Sequence, residues 1–190
     1  MSLEIYNLAL GLLGDFEVDA GTSNNDKRIK FCNRYYDLAR DEVLSMHWWN
    51  EAIKRVDIAP ESESPEGWSH KLAKPADAIR IVSVNDNCYQ WQVEGQYILV
   101  AGSTIWDSDT MTVEYVHQLT DISKYSPKLK KAVAYKLAIY IAGGITNNTK
   151  VKNDLINEFE TLVMPQARGI DAMQGTPRQL PKSTWLRSRI

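Results

Sequence analysis

The sequence predicts an α+β protein, a helical bundle of about four helices with a small antiparallel β module inserted between the second and third. Three observations carry that expectation. Ser23 to Asn50 and Ser126 to Gly144 both show sustained helical periodicity. Between them, Met111 to His117 (Met-Thr-Val-Glu-Tyr-Val-His) alternates apolar and polar residues, the period of a half-buried strand. The chain has 190 residues, 44% hydrophobic and 24% charged, which fits one folded unit with a proper core. The expected layout is a single domain over 1–174, with helices at about 3–14, 24–47, 127–144 and 149–172 and the β insertion at about 50–118; residues 175–190 form an extended basic tail.

In residues 3–14, Leu3, Tyr6, Leu10 and Leu13 fall on one helical stripe, widened by Ile5, Leu8, Ala9 and Leu12, and Gly14 stands at a natural C-terminal stop. Asp15 to Thr22 is an acidic connector. The long helix then begins at Ser23, where Ser23 and Asp26 form a variant capping box with an acid in place of the usual Glu or Gln. Its buried face is expected to be Ile29, Cys32, Tyr36, Ala39, Val43 and Met46, at alternating spacings of three and four. Opposite lies a solvated, mixed-sign face of Lys27, Arg28, Lys30, Asn33, Arg34, Asp37, Arg40, Asp41 and Glu42. The helix closes on His47-Trp48-Trp49-Asn50. Two adjacent Trp bring about 150–250 Å² each of surface that wants a partner. They serve either as a lid over the helix ends or as an aromatic anchor, which makes Trp48 and Trp49 the candidate subunit-contact residues.

Ala52 to Ile58 reads as a strand ended by Pro60, and 60–67 as an acidic, breaker-rich, mobile loop. Further strands are expected at Ala78–Val84, Cys88–Val93 and Gln96–Val100, with a two-residue hairpin turn at Glu94-Gly95. Ser126 caps the next helix with Pro127 at its first position, and Gly143-Gly144 are expected to stop it. Val151, Leu155, Phe159, Leu162 and Val163 mark a last helix that Pro165 must kink or end.

Composition narrows the function classes. A net charge of −2 argues against tight, sequence-independent gripping of nucleic acid. The charge is split, however: residues 1–26 hold Glu4, Asp15, Glu17, Asp19 and Asp26 with no Lys or Arg, whereas 172–190 hold Arg178, Lys182, Arg187 and Arg189 with no acid. Cys32 and Cys88 sit in different kinds of element, so reduced cytosolic thiols are the default. The apolar run Leu3–Leu13 is too short to span a bilayer and lacks a basic flank, so neither export nor a membrane partner is expected. His47, His70 and His117 each stand without a second ligand at metal spacing, and Gly143-Gly144-Ile145-Thr146 is far from a phosphate-loop pattern. No catalytic, metal or cofactor site is expected.

Several segments stand in an order that resembles the tail tubular, or head-to-tail adaptor, proteins of short-tailed bacteriophages (podoviruses). Asn7-Leu8-Ala9-Leu10-Gly11-Leu12-Leu13-Gly14 is similar to that family's NxALxxLG helix. The stretch from Tyr36 to Arg55 resembles its YxxARDxxLxxHPWNFAxKR pattern, with Trp48 in place of the family Pro and Glu51 in place of an aromatic. Gly67-Trp68 with Lys74-Pro75-Ala76-Asp77-Ala78-Ile79-Arg80-Ile81 is similar to GW…LPxDxLRV, and Val93 to Leu99 to the VEGRxIL hairpin. The likeness covers about residues 5–145 in collinear order.

The resemblance implies a structural virion protein at the head-tail junction, made in the host cytoplasm. Such a protein forms a dodecameric ring of its own copies under the portal protein, and the isolated chain is either a monomer before assembly or already a ring. The ring extends the DNA channel and receives the tail nozzle or tail-fibre proteins, with transient passage of DNA and no tight binding. The basic tail, with Arg178, Lys182, Trp185, Arg187 and Arg189, is then the candidate portal-docking arm. Competing readings are a head-tail connector of a long-tailed phage, a DNA-binding module and an enzyme. The β insertion disfavours the first, the confinement of a basic stripe to the tail the second, and the lack of a positioned base the third.

Overall fold

The computed structural model describes residues 3–102, 110–146 and 148–175. It is a mixed α+β fold. Helices α1 (Leu3–Leu12) and α2 (Lys27–Met46) come first, then strands β1 (Ile53–Ile58), β2 (His70–Ala73), β3 (Ala78–Val84), β4 (Gln90–Glu94), β5 (Tyr97–Ala101) and β6 (Met111–His117). Helices α3 (Pro127–Ile145), α4 (Thr149–Glu158) and α5 (Met164–Ala172) follow, the last two joined without a break by a π-helical turn, Phe159–Val163. Among the described residues, no helix is long and apolar enough to cross a membrane.

The end of α1 behaves as its sequence implies. Gly14 adopts φ +72°, its N–H donates to Gly11 O and that of Asp15 to Leu10 O, the paired bonds of a Schellman motif. The start of α2 differs from expectation. Asp26, not Ser23, is the cap: its carboxylate accepts from the Arg28 backbone N–H at 2.8 Å, while Ser23 is used in a turn before the helix. An acid so placed also faces the positive end of the helix dipole, which Ser cannot exploit. Arg40, expected on the solvated face, is 5% exposed. Its guanidinium binds Asp41 at 2.7 Å and Asp37 at 2.9 Å and lies 5.8 Å from the Tyr36 ring centroid. Burial opposes its charge, but the hydrogen bond to Asp41 and the two carboxylates outweigh it and hold the group above its ordinary pKa.

Helix α3 is buried almost all round, through Leu129, Ala132, Val133, Leu137, Ile141 and neighbouring residues, and it packs against α1, α2 and α4. The hub of the bundle is therefore α3 rather than the longer α2. Ser126 caps it through Leu129 N, as its sequence implies. Gly143-Gly144 do not stop it, and the helix runs on to Ile145. Gly144 serves packing instead, since a Cβ there would collide with the Phe31 ring of α2. Pro165 does not end the last helix. A proline at this position denies Thr161 O its donor, and the chain responds with the π turn, in which the Met164 N–H reaches back five residues to Phe159 O.

Among the described residues, the β part consists of two three-stranded antiparallel sheets, in strand orders β1-β6-β3 and β2-β5-β4. Strand β2, unexpected from the sequence, is four residues long with only Leu72 fully buried, too short for a visible alternation. β4 begins at Gln90 rather than Cys88, because Asn85, Asp86 and Asn87 take positive φ and Cys88 completes that turn. The hairpin turn is Gly95-Gln96, one residue later than expected: Glu94 pairs with Tyr97, and Gly95 alone carries the positive φ, +57°. Placing Gly first is the demand of a type II′ turn. The loop at 60–67 is tied at both ends by Glu61 N to Lys71 O, 2.8 Å, and Trp68 N to Pro65 O, 3.1 Å.

The β region is no detached appendage. Val116 of β6, with Ala52, Ile53 and Ile79, joins the helical core, while Met111, Val113 and Tyr115 on the other side of β6 join Leu72, Ile81, Ile98 and Val100 between the sheets. One strand thus touches both cores, with Met111, Val113 and Tyr115 in one and Val116 in the other.

Candidate assembly surfaces

The aromatic pair after α2 splits by environment. Trp49 is fully buried, its indole N–H donating to Val43 O at 2.9 Å and its ring meeting His47 edge-on with centroids 5.2 Å apart. Withdrawing that ring from water is worth roughly 4–6 kcal/mol. Trp49 is therefore a core residue and is corrected from the candidate subunit contacts: it has no surface to offer. Its neighbour Trp48 is 51% exposed, with the Arg80 guanidinium 5.8 Å from its ring centroid. Of the pair, only Trp48 remains available.

Behind the pair lies a latch that sequence reasoning missed. Asp171, in the last turn of α5, is 5% exposed. One of its carboxylate oxygens meets His47 Nε2 at 3.0 Å and the other accepts from Asn50 N–H at 3.2 Å, while its backbone oxygen accepts from Asn50 Nδ2 at 2.8 Å. Arg168 adds a bond to Met46 O at 3.1 Å. Together these fasten the C-terminal helix to the junction of α2 and β1. A signal was present, because an acid in a helix's last turn opposes the dipole and needs a compensating donor. The described chain reaches Gly175 in a cleft of about 410 Å³ that is also lined by Trp48, Arg55 and Glu114. The candidate portal-docking residues Arg178, Lys182, Trp185, Arg187 and Arg189 lie outside the described residues.

The α1–α2 connector is more than an acidic linker. Val18 is 3% exposed, and Asn7 grips it twice, accepting from Val18 N–H at 2.9 Å and donating to Val18 O at 3.0 Å. Arg28 donates to Phe16 O at 3.1 Å and chelates Asp26, whose pKa it lowers to about 2, chiefly by its side-chain hydrogen bond. The Phe16 side chain, between these anchors, is 84% exposed. Periodicity could not reveal it, since Phe16 lies outside any element.

Other titratable groups are engaged in holding the fold. Lys54 binds Asp77 at 2.6 Å, lowering its pKa, and Asp77 in turn accepts from the buried Tyr115 hydroxyl at 3.0 Å. Burial, then that bond, pushes Tyr115 up to about 12. Tyr140 donates to Glu42, which also pairs with Lys136 at 2.7 Å, linking α2 and α3. His117 hydrogen-bonds Ala52 O at 2.7 Å. Burial pushes the Cys32 thiol up to about 12, so it is inert at neutral pH. Neither a scan against protein-family models nor a search among curated proteins matches this chain.

Proposed function

We propose that the chain is a structural virion protein, a head-to-tail adaptor of a short-tailed phage that assembles as a dodecameric ring beneath the portal, extends the DNA channel and carries tail nozzle or fibre proteins. One observation carries the reading: the residues that make the sequence resemble this family are those on which the fold depends. In the NxALxxLG-like segment, Ala9 and Leu10 are fully buried and Gly14 holds the left-handed helix end. In the Tyr36-to-Arg55 segment, Ala39 is buried, the buried Arg40 pairs with the half-buried Asp41, Trp49 is core and Asn50 receives the Asp171 latch. In the VEGRxIL-like segment, Gly95 turns the hairpin and Ile98 and Leu99 are buried.

A coincidental likeness has no reason to select a helix stop, an inward-turned Arg and a hairpin glycine together. A rigid body made of a helical wall and a β module through adjoining cores also suits a load-bearing ring. The two departures have physical accounts as well. Trp48 in place of Pro still permits the extended step after His47, and Glu51 accepts from Ser126 N–H at 3.0 Å, tying the turn to the start of α3.

The test is light scattering and negative-stain microscopy of the protein alone and mixed with its cognate portal protein. Rings in either sample are expected. A stable monomer that ignores the portal refutes the proposal. Removing 176–190 is expected to abolish portal binding with the thermal transition unchanged, and retained binding removes the tail from the docking role.

A further inference from the structure

The molecule carries a knob and a groove of matching chemistry. The knob is Phe16, the most exposed aromatic among the described residues, presented by a loop pinned through Asn7, Val18 and Arg28 and flanked by Asp15 and Glu17. Because the loop is fixed on both sides of Phe16, little conformational freedom is left to lose on docking, the condition under which one aromatic acts as an anchor. The groove lies on α2. Lys30, Phe31 and Arg34 line a hollow of about 330 Å³, room for a phenyl ring. Lys27 stands 5.9 Å from the Phe31 centroid, and Phe31 stacks on Tyr35, which stacks on Tyr140, so the floor is aromatic and the rim cationic. Among the described residues, Lys27, Lys30 and Arg34 have no carboxylate at ion-pair distance, whereas Arg28, Arg40, Lys54, Lys71, Lys130 and Lys136 do.

We infer that the acidic Phe16 knob of one copy docks in the Lys30–Phe31–Arg34 groove of another, making this a contact between copies of the chain. The occupant follows from complementarity. The groove wants an apolar or aromatic group with acidic flanks, and the same chain presents one in a fixed loop. Duplex nucleic acid is the weaker match, because three cations are few for a phosphate backbone, where strong salt dependence accompanies about 6–10 contacts. Knob and groove are different surfaces, so copies join either reciprocally in a pair or successively, and succession closes into a ring when the rotation permits. The inference deepens the adaptor reading by naming the surfaces through which copies meet, yet it stands on its own geometry.

Two variants and their mixture test it. Phe16→Ser removes the knob and Arg34→Glu reverses the rim; both sites are exposed, and circular dichroism and thermal melting check that each variant folds. Sedimentation velocity over a wide range of protein concentration is expected to show self-association of the native chain, weakened at least about tenfold in each variant alone. An equal mixture of the two is expected to form a 1:1 heterodimer, since it retains one intact knob and one intact groove. Raised salt should loosen the contact without abolishing it. Four results would overturn the inference: a native chain that stays monomeric, variants that associate like the native chain, a mixture no stronger than either variant, or a groove that binds a duplex DNA oligomer and no second copy. Rings that form with the portal from both variants would leave the adaptor reading standing and dismiss this contact. Loss of all ring formation by the native chain dismisses the adaptor reading.

Discussion

Replacing Asp171 by Ala tests whether the C-terminal helix is latched by one buried carboxylate. The change removes two hydrogen bonds, to His47 Nε2 at 3.0 Å and from Asn50 N–H at 3.2 Å, and leaves the backbone bond to Asn50 Nδ2 in place. Bonds to a charged group are worth about 1.5–3 kcal/mol each. Here one is long and the His47 side chain is 22% exposed, so water replaces part of the loss. The expected cost is about 2–3 kcal/mol, which for a chain of this size lowers Tm by roughly 4–12 °C. Urea denaturation should show the same loss at unchanged slope. Hydrogen exchange in Met164–Ala172 should accelerate at least about tenfold, and more than in α3, because the bonds lost are those of the last helix. Asp171→Asn keeps an oxygen for Asn50 N–H and should lose under half as much. A Tm for Asp171→Ala within about 1 °C of the native chain, with unchanged exchange in α5, would refute the latch.

Neighbouring glycines give a test of sign. Gly143→Ala meets nothing and is exposed, so helix propensity should stabilise it by about 0.5–1 kcal/mol, whereas Gly144→Ala strikes the Phe31 ring and should lose up to about 2 kcal/mol net by chemical denaturation. Thiol labelling of the native protein at neutral pH should modify Cys88, which is exposed, and spare Cys32, with both modified after unfolding. Asp26 has its folded pKa lowered to about 2, below the unfolded value near 3.9, so its stabilisation is complete above about pH 5 and is lost as pH falls through 2. Melting curves from pH 5 to 2 should therefore fall less steeply for Asp26→Asn than for the native chain.

How far the sequence carries depends on what determines each feature. The Schellman end at Gly14, the Ser126-Pro127 start and the β6 alternation were legible because they rest on local backbone rules. Three features of the surfaces were not. Arg40 reads as solvated because periodicity places it near the polar face, yet two carboxylates and the Tyr36 ring let it turn inward. Gly144 reads as a stop because a helix–helix approach leaves no mark on one strand of sequence. Trp48 and Trp49 are the same residue type one position apart, and only the extended turn after His47 decides which one enters the core.

The π turn has a consequence for phase. Leu155, Phe159, Val163, Ala167 and Asp171 are all buried and recur every fourth residue. In a uniform α-helix each such step rotates by about 40°, so the row would wander some 160° around the axis before reaching Asp171. The wider turn at Phe159–Val163 takes back about one residue's rotation, ~100°, of that advance and so keeps the row facing inward. The segment thus works as a phase corrector, and the residue it accommodates has the value of an angle. Deleting one residue within 159–163 lets the wide turn close to a regular one and leaves Asp171 facing His47 and Asn50, whereas deleting one residue from the regular helix that follows keeps the wide turn and swings Asp171 about 100° away from them. The C-terminal end of the fold is set by a rotation held in a single turn.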